Sequence, residues 1–144
     1  MIHDALLLFS DAQAVTAAAA STSYVDLKAA RNIGVGEDLF VVLIVDVALT
    51  DAGSNSTLTV DLYGDSSTSF TPDGTQTLFT VAALAAIGTK YVARVSPGLA
   101  AAYRYLELYY TPNNGDLSTG SVTAFITRNP DIASDYYASG FSIA

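Results

Sequence analysis

Side chains that commonly perform catalysis are few in this chain. It contains one histidine, His3, and no cysteine. Without cysteine there are no disulfides, thiolate metal sites or thiol nucleophiles. A histidine so close to the N-terminus is hard to hold in catalytic geometry, so a Ser-His-Asp triad is not expected. The sequence therefore predicts that the protein is not an enzyme and has no catalytic residues.

Metal and cofactor sites have only weak support. Asp61, Asp65 and Asp73 offer the oxygen ligands that Ca²⁺ prefers, but no EF-hand spacing is present and acidic residues in loops are usually just solvated. Gly34-Val35-Gly36 lacks the third glycine and the following helix of a dinucleotide or phosphate loop. We expect neither a metal nor a cofactor.

The densest aromatic segment runs from Tyr103 to Tyr110. In a strand, successive side chains point to opposite faces, so this segment divides into two sets. One face carries Leu106, Leu108 and Tyr110, and the other carries Tyr103, Tyr105 and Tyr109. Three explanations of the tyrosine row remain open, in decreasing order of preference: cross-strand packing within the sheet, a protein interface, or a platform for sugar rings.

The elements that must position these side chains are strands. Thr57 to Tyr63 alternates strictly, and apolar residues also recur at every second position within Lys90 to Ser96 and Ser121 to Arg128. Turns rich in Gly, Pro, Asn and Asp separate these segments. Phe40 to Leu49 is apolar on both faces as far as Ile44, which is typical of a central strand. Seven or eight short strands without a βαβ rhythm predict an all-β fold. We expect a single antiparallel β-sandwich, with a jelly roll favoured over an immunoglobulin-like arrangement.

The chain of 144 residues and 15.0 kDa has the size of one domain. We assign residues 1–129 to the sandwich and residues 130–144 to a C-terminal arm. The arm has three aromatic residues among small and acidic ones, a composition that cannot form its own core: Tyr136, Tyr137 and Phe141. We predict that these side chains, with Leu7 and Phe9 near the N-terminus, contact a partner. For Leu7 and Phe9, burial in the core is an equally favoured alternative.

Charge and hydropathy limit the partners. A net charge of −8 and a pI near 4.1 repel phosphate backbones and anionic lipid headgroups, so nucleic acid is not an expected partner. No apolar run approaches the roughly 20 residues of a membrane span. The apolar fraction of 51% is high, although the many alanines inflate it, and suggests contacts between chains.

A succession of short segments resembles a known family. The N-terminal ones are Ser10–Thr16, Ser21-Thr22 followed by Asp26-Leu27, and Asn32–Glu37 with Leu39; the later ones are Thr57–Leu62, Pro97-Gly98, Tyr105–Leu108 and Ala124–Ile126. Together they are similar to the capsid cement (decoration) proteins of tailed bacteriophages, of the Bordetella-phage type, over about residues 4 to 128.

The resemblance implies a jelly-roll protein without catalytic activity. Such a protein dimerises, is made in the host cytoplasm and sits on the outer surface of an icosahedral head, where it bridges neighbouring major capsid proteins. Two alternatives stay open. One is a carbohydrate-binding β-sandwich module, which also uses an aromatic sheet face, and the other is a different head or tail accessory protein.

Overall fold

The computed structural model describes residues 5–29, 38–82 and 85–128. A 3₁₀ turn (Ala5–Leu7) opens this part of the chain. The strands that follow are β1 (Leu8–Ala14), β2 (Ala19–Ala20), β3 (Val25–Asp26), β4 (Phe40–Thr50), β5 (Thr57–Asp65), β6 (Gly74–Val81), β7 (Lys90–Arg94), β8 (Tyr105–Asn113) and β9 (Thr119–Thr127). One short helix, α1 (Pro97–Ala102), lies between β7 and β8.

The strands form two antiparallel sheets. The four-stranded sheet has the order β1-β9-β4-β7, and the five-stranded sheet has the order β2-β8-β5-β6, with β3 also pairing with β8. One long antiparallel ribbon wraps across both sheets. Its successive strand pairs are β1·β9, β2/β3·β8, β4·β7 and β5·β6. This is the jelly-roll arrangement, so the predicted β-sandwich and its favoured topology are confirmed.

The core lies between the two sheets and follows the predicted alternation. Leu58, Val60 and Leu62 of β5 have no exposed surface, and Leu106, Leu108 and Tyr110 of β8 lie beside them on the neighbouring strand. The other wall of the core comes from the four-stranded sheet, through inward side chains of β4 and β9: Val41, Leu43, Val45, Val122, Ala124 and Ile126. In β5 and β8, burial of one face imposes a period of two, which is why the sequence pattern predicts the alternation of these strands.

Strand β4 is central, as its apolar character predicts. It pairs with β9 on one side and with β7 on the other. Its outward-facing Val42 is also fully buried and packs with Phe125, against Leu8 and Ile44. A second, smaller apolar cluster therefore lies on the outside of the four-stranded sheet.

Helix α1 contains Pro97-Gly98 and connects β7 to β8. Pro97 stands in the first helical turn, where its fixed φ suits a helix and its missing N–H is not needed. The helix ends at Tyr103, whose backbone N–H donates to the Leu99 carbonyl at 3.2 Å. Leu99 points into the core, so the helix closes one end of the sandwich.

Polar contacts also join the two sheets. The hydroxyls of Ser10 and Tyr110 lie 2.7 Å apart inside the core, and burial raises the pKa of Tyr110 far above its usual range. At the opposite edges, the Gln76 side chain donates to the Arg94 carbonyl at 2.8 Å and accepts from the Ser96 backbone N–H at 2.7 Å. Gln76 thus ties β6 to the end of β7.

In the part of the chain described here, no helix has the length and apolar character needed to cross a membrane.

Candidate binding surface on the five-stranded sheet

The outer side of the five-stranded sheet carries a compact group of aromatic and acidic side chains. In β5 and in β8 every second residue is buried, so the alternate residues of each strand face outward. Five of them lie together and are called here the tyrosine–carboxylate face: Asp61, Tyr63, Tyr105, Glu107 and Tyr109. The strand register places Asp61 opposite Tyr109 and Tyr63 opposite Glu107.

The aromatic rings of this face pack on one another across the strands. Tyr63 and Tyr109, which are diagonal neighbours, stack with ring centroids 5.3 Å apart and planes at 17°. Tyr105 meets Tyr24 edge to face at 5.6 Å, and Tyr24 in turn lies 6.1 Å from Phe70. Cross-strand packing, the favoured explanation of the tyrosine row, is thus what the structure shows for Tyr105 and Tyr109. Interface and sugar binding stay predictions.

Tyr103 does not belong to this face, which corrects the expected alternation. Its backbone ends helix α1 before β8 begins, so the strand parity does not reach it. The ring packs against the core, beside the inward sides of Gly64 and Gly74, and its hydroxyl donates to the Asp73 carbonyl at 2.9 Å. Tyr103 therefore lies on the opposite side of the sheet from Tyr105.

The two carboxylates of the face differ in their partners. Asp61 accepts a 2.7 Å hydrogen bond from the Thr77 hydroxyl on β6. None of the residues described here donates a hydrogen bond to the Glu107 carboxylate, and burial raises the pKa of that group. Burial, and then the charge of Asp61, also raise the pKa of Tyr63. The face is acidic and contains one half-buried carboxylate without a hydrogen-bond donor among the described residues.

An arginine is already seated at the margin of this face. The guanidinium of Arg104 lies 4.8 Å from the centroid of the Tyr105 ring. It donates two hydrogen bonds to Asp26, from Nε at 2.8 Å and from Nη2 at 3.0 Å, and Lys28 lies 3.4 Å from the same carboxylate. The Arg104 guanidinium holds the pKa of Asp26 well below its usual range. This clamp also ties β3 to the start of β8.

The Glu107→Gln variant should show how much the ionised Glu107 carboxylate destabilises the folded state. Because burial raises the pKa of Glu107 above its unfolded value, its ionised form is disfavoured in the folded state, and stability falls as pH rises through the interval between the two pKa values. We expect the variant to gain less than about 1 kcal/mol at pH 7, a figure limited by solvent screening, and nothing at low pH. Urea unfolding at both pH values measures this. An equal difference at both, or a gain in the Asp116→Asn control at an exposed site, would contradict it.

The other predicted contact residues fall in different places. Leu7 is 40% exposed in the 3₁₀ turn, whereas Phe9 has no exposed surface and lies in the core. Phe9 therefore follows its core alternative and offers nothing to a partner in this structure. Tyr136, Tyr137 and Phe141 lie outside the described residues, as does the predicted arm.

The acidic residues considered for calcium do not converge. The Asp65 carboxylate accepts the backbone N–H groups of Ser67 at 2.8 Å and Thr71 at 2.9 Å, which orders the β5–β6 loop. Asp61 is instead on the outer face of the sheet. Within residues 5–29, 38–82 and 85–128, no group of three or more His, Asp or Glu side chains is placed to hold a metal ion.

Tyr63, Glu107 and Tyr24 were not predicted to form one surface with Tyr109. The parity of β5 puts Tyr63 and Asp61 on the polar side of that strand, which is the available signal. Which strand lies beside β5, and in what register, depends on pairing between distant segments. The surface therefore emerges only when β5 and β8 are seen side by side.

Comparison with known proteins gives the family. A family model named Bbp16 matches residues 9–126, from the second residue of β1 to the penultimate residue of β9. The chain belongs to the Bbp16 family. The name points to a protein of Bordetella phage, which agrees with the Bordetella-phage type of the resemblance. The Bbp16 match therefore covers the whole jelly roll and the tyrosine–carboxylate face. A search of curated proteins found no match.

Proposed function

We propose that this protein is a capsid cement, or decoration, protein. It binds the outer surface of a phage head, bridges neighbouring major capsid proteins and stabilises the shell. The observation that carries the proposal is the Bbp16 match across the entire sandwich, in a family whose name points to phage. In this proposal the protein acts by binding alone: it catalyses no reaction, and its partners are the major capsid protein and a second copy of itself.

Charge favours an exterior position. The chain carries a net charge of −8, so packed DNA inside the head would repel it. The described strands also present polar groups outward, such as Asn113, whose side chain donates to Thr59 at 2.7 Å on the five-stranded sheet. A rigid sandwich with two outer faces suits a molecule that touches the shell on one side and solvent on the other.

Many weak contacts are enough for this role. A contact of standard size buries about 800 Å² on each partner, which a domain of 15.0 kDa can offer more than once. When one molecule spans two capsid proteins, the second contact forms at a high effective concentration. The shell is then reinforced even if an isolated capsid protein binds the cement weakly.

Reconstitution on heads tests the proposal. Heads assembled without this protein should bind the purified chain to a fixed number of copies, and the decorated heads should withstand higher temperature than bare ones. Cosedimentation gives the copy number, and electron microscopy gives the position, which should follow the outer lattice. Absence of binding would refute the proposal, and density confined to the tail or to a single vertex would indicate a different accessory protein.

Carbohydrate binding is the alternative from another class. The outward tyrosines of β5 and β8 support it, since sugar rings stack on aromatic faces. One observation counts against it: the chain has no tryptophan. A glycan array separates the two functions, because a cement protein should give no specific glycan signal.

A further inference from the structure

We propose that the tyrosine–carboxylate face is the surface that docks an arginine- or lysine-bearing segment of the capsid protein. This inference rests on the proposed function and adds the contact surface and the chemistry of its partner. The face has aromatic rings for stacking and two outward carboxylates for ion pairing, a combination suited to a cationic side chain.

The charge of the face is entirely negative. Strands β5, β6 and β8 contain no lysine or arginine, whereas Asp61 and Glu107 point outward from two of them. Arg104, a cationic side chain at the margin, is already paired with Asp26. An incoming basic segment would therefore meet a complementary potential that no residue of these three strands neutralises.

The molecule itself shows how a cation fits this surface. Arg104 lies over the ring of Tyr105 while its guanidinium forms two hydrogen bonds with the Asp26 carboxylate. Further along β8, Tyr109 lies opposite Asp61 and beside Tyr63, so the same ring-and-carboxylate chemistry is repeated without a cation from these strands. An arginine or lysine from a partner would complete this second arrangement.

Glu107 supplies a reason why the face should be covered in the assembled particle. Its half-buried carboxylate has lost part of its hydration, and none of the described residues compensates it with a hydrogen bond. A docked guanidinium would donate such bonds, so the unfavourable burial in the free protein becomes a favourable contact in the complex.

A second copy of this chain is not the occupant we infer. A two-fold contact through this face would place Asp61 and Glu107 of one copy against the same residues of the other, and like charges repel. Self-association would have to use another surface.

The test compares two double variants that remove the same charge. D61N/E107Q neutralises the face and keeps side-chain size, and the amide introduced at position 61 retains an oxygen acceptor for Thr77. D11N/D116N neutralises two exposed carboxylates outside the face and serves as the control. A third variant, Tyr109→Thr, removes the ring and keeps a residue with high strand propensity. Thermal unfolding of each variant establishes that it is folded before binding is measured.

Binding to heads that lack the protein should separate the variants. We expect D61N/E107Q and Tyr109→Thr to weaken binding at low salt by about tenfold or more, and D11N/D116N to bind like the unmodified chain. Added NaCl should weaken the unmodified chain more than D61N/E107Q. If the unmodified chain binds heads and D61N/E107Q binds equally well, a basic occupant is refuted. Loss in Tyr109→Thr alone refutes it too, and would indicate an uncharged partner.

A second measurement keeps this inference separate from the proposed function. Tyrosine fluorescence of the free protein is titrated with an oligoarginine peptide and, in parallel, with an oligoglutamate peptide. Oligoarginine should bind the unmodified chain and D11N/D116N but not D61N/E107Q, and oligoglutamate should bind none. If heads fail to bind while this pattern holds, the capsid role is wrong and the basic-segment site stands. If oligoarginine does not bind, the site is refuted whatever the heads do.

Discussion

Replacing Gly64 with valine is expected to lower the free energy of unfolding by about 3 kcal/mol, the upper part of the usual range for overpacking a core. Gly64 of β5 and Gly74 of β6 are cross-strand partners, and together they leave room for the Tyr103 ring. A Cβ at Gly64 would lie 2.5 Å from Tyr103 Cδ2 and 3.2 Å from Leu99 Cδ1. The ring cannot shift without losing its 2.9 Å hydrogen bond to the Asp73 carbonyl.

A double-mutant cycle identifies the clash as the cause. Tyr103→Ala alone should destabilise the fold by removing the ring, but in the Gly64→Val background it also removes the obstacle, so the combined loss should be smaller than the sum. Gly98→Ala in helix α1 is the control, because its nearest heavy-atom neighbour would lie 3.8 Å away and alanine favours helix. Chemical unfolding monitored by circular dichroism gives the free energy of unfolding of the unmodified chain and of each variant. Strict additivity would mean that the valine acts through something other than Tyr103.

This glycine pair also bears on the binding surface. Gly64 lies next to Tyr63, and Gly74 closes the β5–β6 hairpin that holds Asp61 and Thr77 side by side. The inner side of the hairpin receives the Tyr103 ring while its outer side presents the tyrosine–carboxylate face. Core packing at Tyr103 and the position of the outward carboxylates are therefore linked through the same two strands.

Strands could be predicted where burial of their faces determines the residue pattern. In β5, burial of one face fixes every second residue, and the alternation of Leu58, Val60 and Leu62 is visible in the sequence alone. The central position of β4 was also predictable, because only a strand covered on both sides tolerates apolar residues at consecutive positions such as Val41 and Val42.

Strand periodicity is misleading or silent where the chain leaves regular geometry. Phe9 and Ser10 are consecutive yet both buried, because the pairing of β1 with β9 shifts register between Leu8 and Ser10. Tyr103 has the parity of Tyr105 but lies on the other side, because helix α1 ends there. Neither departure leaves a periodic signal in the sequence.

The candidate site was half predictable for a related reason. The outward position of Tyr109 follows from its own strand, but its contact with Tyr63 joins residues that are far apart in the sequence. Such a contact is set by the strand order of the jelly roll and by register, which local patterns do not encode. The strand pattern and the family resemblance both favoured a jelly roll, but only the structure places Glu107 opposite Tyr63.

Deleting residues 130–144 is expected to abolish detectable binding to heads and to leave the sandwich folded. Strand β9 ends at Thr127 and the Bbp16 match ends at residue 126, so the deletion removes no part of β9. The arm brings aromatic side chains in a composition too polar and small to build a core, and buried aromatic anchors commonly dominate binding energy. Without the arm, the protein keeps only the contact made by the sandwich. We expect stable attachment to need a second contact as well.

Substitution within the arm distinguishes a loss of anchors from a loss of length. Y136S/Y137S/F141S should bind heads as poorly as the deletion, and S134A/S139A/S142A, with as many changes in the same segment, should bind like the unmodified chain. Circular dichroism should show the same strand signal and a similar unfolding midpoint for every variant. If the deleted chain still decorates heads, attachment depends on the sandwich alone, and the tyrosine–carboxylate face then has to supply it. If only the deletion fails to bind, the arm acts through its backbone or length, because its aromatic side chains are then dispensable.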